Sequence, residues 1–346
     1  VFGLGGSPQA EKYLLGQGSG VRGQGENSSC PLPLAPCPLP KVDVLLAVGT
    51  SFNEWGTNVW DKRLIPGKAM IQVDIDPYEF GKNYPFEVDL IGDAKIIIRE
   101  MIYELQRQIK KLPNIKQENL EERRKSSAER LCNFKNHIER HLDKDKTESE
   151  AVPIKPQRLI KDLRDSLPAD TIFFTDIGNN LVWALHYLDI YKPYTFFAGL
   201  GFASLGLGTA SAIGAKFAAP DRPVVAIVGD GGFLMNGMEV AAAVNYNKQV
   251  IWVVENNSEL GMVSHSRRLL SIPYNTGAEF RQVDFVKIAE GLGARGIRVT
   301  KPGEINKDMM NGIIKSGMPT VIDVIIDPAE APPLGSRIDA IKGSYF

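Results

Sequence analysis

Apolar and polar positions alternate along the chain in two rhythms. Short continuous apolar runs, each closed by glycine, proline or an acid, recur between segments whose apolar residues fall at three- and four-residue spacing. "KVDVLLAVG" (41–49), closed by Gly49, reads as a buried parallel strand, and "AMIQVDIDP" (69–77), stopped by Asp76-Pro77, as a second. Residues 95–105, "KIIIREMIYEL", place Ile97, Ile98, Met101, Ile102 and Leu105 on one helical face. From about 116 to 150 the chain is charged, with Leu131, Phe134, Ile138 and Leu142 at helical spacing, which predicts a solvated linker helix with one packed stripe. Near Pro156 the strand rhythm returns. "DTIFFTDIG" (170–178), "RPVVAIVGDGG" (222–232), "KQVIWVVENN" (248–257) and "PTVIDVIID" (319–327) read as strands, with helical patterns between them at 237–247 and 283–292.

Alternation of this kind implies parallel sheets covered by helices. The expected class is α/β: two doubly wound parallel-sheet domains joined by a charged helical linker. The bounds read as a central domain over 1–115, a linker over 116–152 and a second domain over 153–346. Residues 16–40 break the pattern, with ten Gly or Pro in 25 positions. They read as an atypical insertion or a sequence artefact, and Cys30 with Cys37 lacks the further ligands that a metal site needs. Residues 196–215 carry no charge, but five glycines with Ser204, Thr209 and Ser211 make them a buried loop and helix rather than a membrane span. At 346 residues, 43% hydrophobic, 23% charged and net charge −1, the composition is that of a globular protein with no global field for nucleic acid or membrane. Three cysteines make no disulfide framework and the N-terminus shows no signal pattern, which point to a cytoplasmic protein.

The chemistry gathers where strands stop. Ligands in parallel α/β sheets bind beyond the carboxyl ends of the strands, and Asp176, Asp230, Asn256 and Asn257 fall at such ends. Between Gly231 and Asn256 lie 24 residues, enough for one helix and a return strand, so Asp230 and Asn257 would end neighbouring strands. An acid, an amide oxygen and a nearby carbonyl are hard ligands of the kind Mg²⁺ takes beside phosphate oxygens. Gly231 and Gly232 open a helix start, where an anion is favoured. The competing reading of Gly229-Asp230-Gly231 alone is a helix cap.

The whole pattern, Gly-Asp-Gly followed by Asn-Asn, resembles the signature of thiamine-diphosphate-dependent enzymes. "DIGNNLVWA" (176–184), "GFASLGLGTASAIGAKFA" (201–218), "NNSELGMV" (256–263) and "DFVKIAEGLGARGIRV" (284–299) resemble the acetolactate synthase group. "VDVLLAVGTSFNE", "IQVDIDPYEFGKN" and "VDLIGDAK" resemble that group's middle domain. The resemblance implies thiamine diphosphate and Mg²⁺, with 153–346 as their binding domain. It assigns the metal to Asp230, the Asn257 side chain and the Glu259 carbonyl. It gives phosphate contacts to Gly231, Gly232, Asn179 and Asn180, the bent cofactor to Leu205, a hydrogen bond to the Ala203 carbonyl, and a pocket wall to Met262. It leaves FAD at the middle domain open.

The activity so implied is decarboxylation of a 2-oxo acid with carboligation to a second carbonyl compound, by a transferase or lyase working as a dimer. The alternatives are a simple 2-oxo acid decarboxylase, favoured if His265 donates a proton, and a non-catalytic nucleotide-binding or regulatory protein. Ser266 stands where the group commonly has tryptophan, so loop 262–270 with Arg267 and Arg268 is expected to select the acceptor. The group's N-terminal, pyrimidine-binding domain and its activating glutamate have no counterpart here. The expectation is that this chain is inactive alone and meets the missing half in a homo-oligomer or a partner chain.

Overall fold

In the computed structural model, described over residues 42–57, 59–137, 143–273 and 277–333, both sheets are parallel and the class is α/β. The described residues fall into two compact units, 42–137 and 143–333. The insertion at 16–40, with Cys30 and Cys37, lies outside them. Of the tract expected as a linker, helix Asn114–His137 falls in the first unit and residues from Asp143 in the second.

The first unit carries a three-stranded sheet, β1 (Val44–Val48), β2 (Ala69–Asp74) and β3 (Val88–Ile91), in the order β1-β2-β3. Helix Ala94–Lys110 follows, its first turn capped by Asp93, whose side chain accepts the Ile96 N–H. Ala47, Phe52, Met70 and Tyr84 form a small core. The expected burial of the first strand is only partial, because Val44 and Leu46 stay exposed and the run covers one face. The stripe on the following helix is likewise half met: Ile97, Ile98 and Met101 are half-buried, Ile102 and Leu105 exposed. Leu131 is also exposed, and Ile138 and Leu142 lie outside the described residues.

The second unit is a six-stranded sheet: β4 (Ile172–Thr175), β5 (Phe196–Ala198), β6 (Val224–Gly229), β7 (Ile251–Asn256), β8 (Arg295–Val299) and β9 (Thr320–Ile325). Its order is β5-β4-β6-β7-β9-β8. Along the central strands, successive apolar positions alternate between two layers. Phe173, Val225, Ile227, Ile251 and Val253 pack with Leu159, Trp183 and Met310 on one face. Val224, Ala226, Val228, Trp252 and Val254 pack with Ala212, Phe233 and Phe285 on the other. A strand buried on both faces must be apolar throughout, which is why these runs were legible.

Three strands, β3, β5 and β8, were not expected. The uncharged stretch 196–215 becomes β5, a loop and the start of helix Leu207–Ala218. The loop is not buried, since Leu200 is 59% and Phe202 93% exposed. Among the described residues no helix is long and apolar enough to cross a membrane.

The unit is closed by an ion cluster. Glu330 accepts hydrogen bonds from Lys146 Nζ at 2.7 Å, Lys155 Nζ at 2.9 Å and Gln157 Nε2 at 2.9 Å. Burial pushes its carboxyl up, but these partners outweigh burial and hold it below the ordinary glutamate value. A depressed acid contributes stability above its unfolded pKa and loses it as pH falls through the lower folded value. Glu330→Gln is therefore expected to cost about 1–3 kcal/mol at pH 7. That difference should shrink towards zero well below pH 4. Urea unfolding of both forms across the pH range checks this.

Candidate functional site

Consecutive connections diverge at one point of the sheet. From β4 the chain moves to the edge strand β5; from β6 it moves the other way, to β7. Such a switch point leaves a crevice beyond the strand ends. A cavity of about 210 Å³ lies there, bordered by Gly178, Asn179 and Trp183 after β4, by Gly229–Gly232 after β6, and by Glu255, Asn257, Glu259 and Met262 at the end of β7.

The ten residues singled out from the sequence all border this cavity: Asn179, Asn180, Ala203, Leu205, Asp230, Gly231, Gly232, Asn257, Glu259 and Met262. The strand-end set Asp176, Asp230, Asn256 and Asn257 divides. Asp230 and Asn257 face the cavity, whereas Asp176 and Asn256 serve the framework. Asp176 accepts N–H bonds from Gly206 at 2.7 Å and Gly208 at 3.4 Å, tying the start of helix Leu207–Ala218 to the end of β4. Asn256 donates to the Val283 carbonyl and to Asp323.

Asp230 opens helix Asp230–Asn236 and is fully buried. One oxygen accepts the Gly231 N–H at 2.7 Å; the other accepts those of Asn257 at 3.1 Å and Ser258 at 2.6 Å. Register places Gly229 opposite Glu255, so β6 and β7 end together. Burial pushes the Asp230 carboxyl up to about 6, against the pull of these three N–H groups, and Glu259 adds to the rise. The Gly231 N–H is thus already engaged. Asn180 is committed too, with Nδ2 donating to the carbonyls of Asp176 and Ile227. Asn179 keeps a buried Oδ1 without a partner. A Cβ on Gly261 would lie 2.9 Å from Asn179 Nδ2 and 3.0 Å from Asn257 Nδ2, so glycine there lets the two amides converge.

Residues 262–270 are not a loop. Helix Gly261–Leu269 buries Ser264 and His265. His265 Nε2 donates to the Pro328 carbonyl at 2.9 Å, which fixes Nδ1 as the acceptor for Asn179 Nδ2 at 2.8 Å. The histidine is neither solvated nor free to give a proton at the cavity mouth. Arg268 is held by both oxygens of Glu259, at 3.0 and 2.7 Å, and Arg267 lies 3.8 Å from Glu279. The arginines expected to hold an acceptor are thus engaged with acids.

Sequence reasoning missed Glu255 and Trp183. Glu255, in β7, borders the cavity with both oxygens unpartnered. Burial, with the Asp230 charge behind it, pushes its carboxyl up to about 8. The signal was an acid inside an otherwise apolar run, "VIWVVENN". Trp183 Nε1 is buried without a partner at the same cavity. In the first unit, where FAD was left open, Asn53 accepts the Gly56 N–H, closing a local turn.

The donor set fits a divalent cation bound beside an anion. The cavity presents carboxylate, amide and carbonyl oxygens, and no lysine, arginine or histidine borders it. Among the described residues no three His, Cys, Asp or Glu side chains form a metal cluster, so such a cation would need further oxygens from its ligand.

Comparison with known proteins points to a phosphate-bearing cofactor. Residues 176–324 match the model described as "Thiamine pyrophosphate enzyme, C-terminal TPP binding domain", and 35–101 that described as "Thiamine pyrophosphate enzyme, central domain". The chain is 34% identical over 317 residues to a "Probable acetolactate synthase large subunit" of Methanococcus aeolicus, covering 88% of this chain and 51% of that protein. It is 35% identical over 311 residues to the protein so described in Methanocaldococcus jannaschii, covering 86% and 49%. It is 30% identical over 304 residues to the "Acetolactate synthase large subunit" of Corynebacterium glutamicum, covering 86% and 46%. The chain spans about half the length of the curated relatives it matches.

The packing at the switch point leaves no room for side chains. A Cβ on Gly232 would collide with Asp176 Oδ2. Gly232→Ala is expected to destabilise the chain by about 1–3 kcal/mol and to speed hydrogen exchange at the Gly206 amide. Thermal unfolding and exchange measured by mass spectrometry check both.

Proposed function

The chain belongs to the thiamine pyrophosphate enzyme family, and on that footing we propose that its second unit holds the diphosphate end of thiamine diphosphate through Mg²⁺. The activity it serves in this reading is decarboxylation of a 2-oxo acid, with carboligation of the product to a second carbonyl compound. The observation that carries the reading is the buried Asp230 carboxylate beside Asn257 and Glu259, in a cavity that no cationic side chain enters.

When bound, the cofactor supplies an electron sink for the pair left by departing carbon dioxide. The chain's own residues bind and orient it. Asp230, the Asn257 side-chain oxygen and the Glu259 carbonyl would hold the metal, and Asn179 with the backbone of Gly232 would meet phosphate oxygens. The Arg268–Glu259 pair fixes the segment that carries the Glu259 carbonyl. Leu205 and Met262, both half-buried at the cavity, would support the rings, and the Ala203 carbonyl would accept their amine.

Carboligation is favoured over simple decarboxylation by one observation. The case for a simple decarboxylase rested on His265 as proton donor, and both its ring nitrogens are engaged inside the fold. The segments flanking the cavity expose Leu200, Phe202, Met235, Met238 and Val263. Apolar exposure on this scale suits a surface that another protein surface covers. In this reading the pyrimidine end of the cofactor is held by polypeptide outside these 346 residues, in the same or a partner chain, within a homo-oligomer.

Asp230→Ala is expected to weaken Mg²⁺-dependent thiamine diphosphate binding at least about 100-fold in calorimetric titration, with the far-UV spectrum unchanged. Asp230→Asn, which keeps one acceptor for the backbone N–H groups, guards against a merely structural effect and should lose binding as well. Unaltered affinity in both variants would remove the metal role. Binding of adenine nucleotides with no response to thiamine diphosphate would favour the non-catalytic alternative.

A further inference from the structure

Resting on the cation–diphosphate reading above, we propose that Glu255 is a second carboxylate of the cation site, and that with Asp230 it lets the chain take up a divalent metal before the diphosphate arrives. Glu255 is 2% exposed, and its partner across the sheet is Gly229, the residue before Asp230. It follows Ile251 and Val253 on the sheet face that forms an apolar layer, so an apolar side chain would be the ordinary occupant. Its two oxygens have no hydrogen-bond partner, yet the side chain borders the cavity.

Other acids around the site are engaged. Asp176 takes two backbone N–H groups, Glu259 holds Arg268, and Asp230 accepts three N–H bonds. Glu255 alone among these four has neither a donor nor a cation within the fold. A buried carboxyl left in this way either keeps its proton or ionises against a cation that enters the cavity. Asn179 Oδ1, also buried and unpartnered at the same cavity, adds another free oxygen. Oxygen donors with net negative charge select a hard cation. A diphosphate by itself would meet the buried Asp230 carboxylate, so a cation must stand between them. With Asp230 alone a divalent ion would lean on phosphate oxygens for affinity; the second carboxylate supplies affinity without them.

The test is Mn²⁺ binding to the full chain, read from the electron paramagnetic resonance of the free ion, first without thiamine diphosphate and then at saturating concentration. The parent is expected to bind one equivalent of Mn²⁺ without the cofactor. Glu255→Gln should weaken that binding at least about tenfold, and Asp230→Asn should do likewise. Glu255→Leu, which places an apolar side chain in the apolar layer, provides a second variant and should behave as Glu255→Gln. With the cofactor present, both Glu255 variants should recover most of their Mn²⁺ binding, because phosphate oxygens replace the lost ligand. Cofactor-free binding that is absent in the parent, or unchanged in both Glu255 variants, overturns the inference. The reading beneath it fails in a different way: cofactor-free binding that depends on Glu255, with no tightening when thiamine diphosphate is added.

Discussion

One carboxylate joins two strand ends. Asp230 leaves β6 and reaches across to the N–H groups of Asn257 and Ser258, just past the end of β7. Ser258 adopts φ +60°, a left-handed conformation that turns the chain sharply at this point. The segment beyond is then secured by its own bonds. Leu260 N–H donates to the Ala278 carbonyl, Phe280 N–H to the Ser258 carbonyl, and Arg268 grips Glu259. Asn257, Glu259 and Gly261 take their places around the cavity because this turn is fixed, and the turn is fixed because the buried Asp230 carboxyl is supplied with three donors. Without them, the cost of burying its charge would be unopposed.

The distribution of paired and unpaired acids gives the cavity its character. Elsewhere in the second unit buried carboxylates have cationic partners: Arg298 reaches Asp323 at 2.7 Å, and Lys146 and Lys155 reach Glu330. At the switch point Asp176 and Asp230 are compensated only by neutral N–H groups, and Glu255 by nothing. A fold that pairs its buried acids with arginine and lysine in one place and withholds them in another has left a negative potential where the withholding occurs. That potential is a binding determinant before any single ligand contact is considered.

How much of this was legible in the sequence depends on what makes a pattern visible. The central strands of the second unit bury both faces, so their residues are mostly apolar and their bounds were read within a few positions. The unexpected strands are edge strands or short ones. β3 carries Asp89 among four residues, β5 has three residues, and β8 contains Arg295 and Arg298. Edge strands need cover less and tolerate charge, which erases the signal. The spacing from Gly-Asp-Gly to Asn-Asn placed Asp230 and Asn257 together correctly. It gave no means of separating them from Asp176 and Asn256, since strand parity decides which side chain meets the cavity. Asn256 shares its parity with Trp252 and Val254 and turns to the other layer; Glu255 shares that of Ile251 and Val253 and meets the cavity. The burial of His265 was not legible for a different reason. The helix that buries it runs Gly-Met-Val-Ser-His-Ser-Arg-Arg-Leu, too polar to suggest burial, and its inward face is polar because it bonds to Asn179 and Pro328 rather than packing.

These features together impose a polarity gradient on the cavity. Its floor, where β4, β6 and β7 end, is made of backbone N–H groups, amides and acids held by the sheet. Its other wall is Ala203, Leu205, Met262 and Val263, with Phe202 and Met235 exposed on the flanking segments. The floor is rigid because each part is tied to a strand end; the apolar wall comes from a loop and a helix that the sheet supports less directly. A ligand with one highly charged end and one ring-bearing end has only one favourable orientation in such a field, charge to the sheet and rings to the wall. The same gradient explains why the apolar wall stays exposed in this chain: burying it requires a second surface, whereas the polar floor is complete within the fold. The orientation of such a ligand is thus set by the residues of the second unit, beside which Phe202 and Met235 stay exposed.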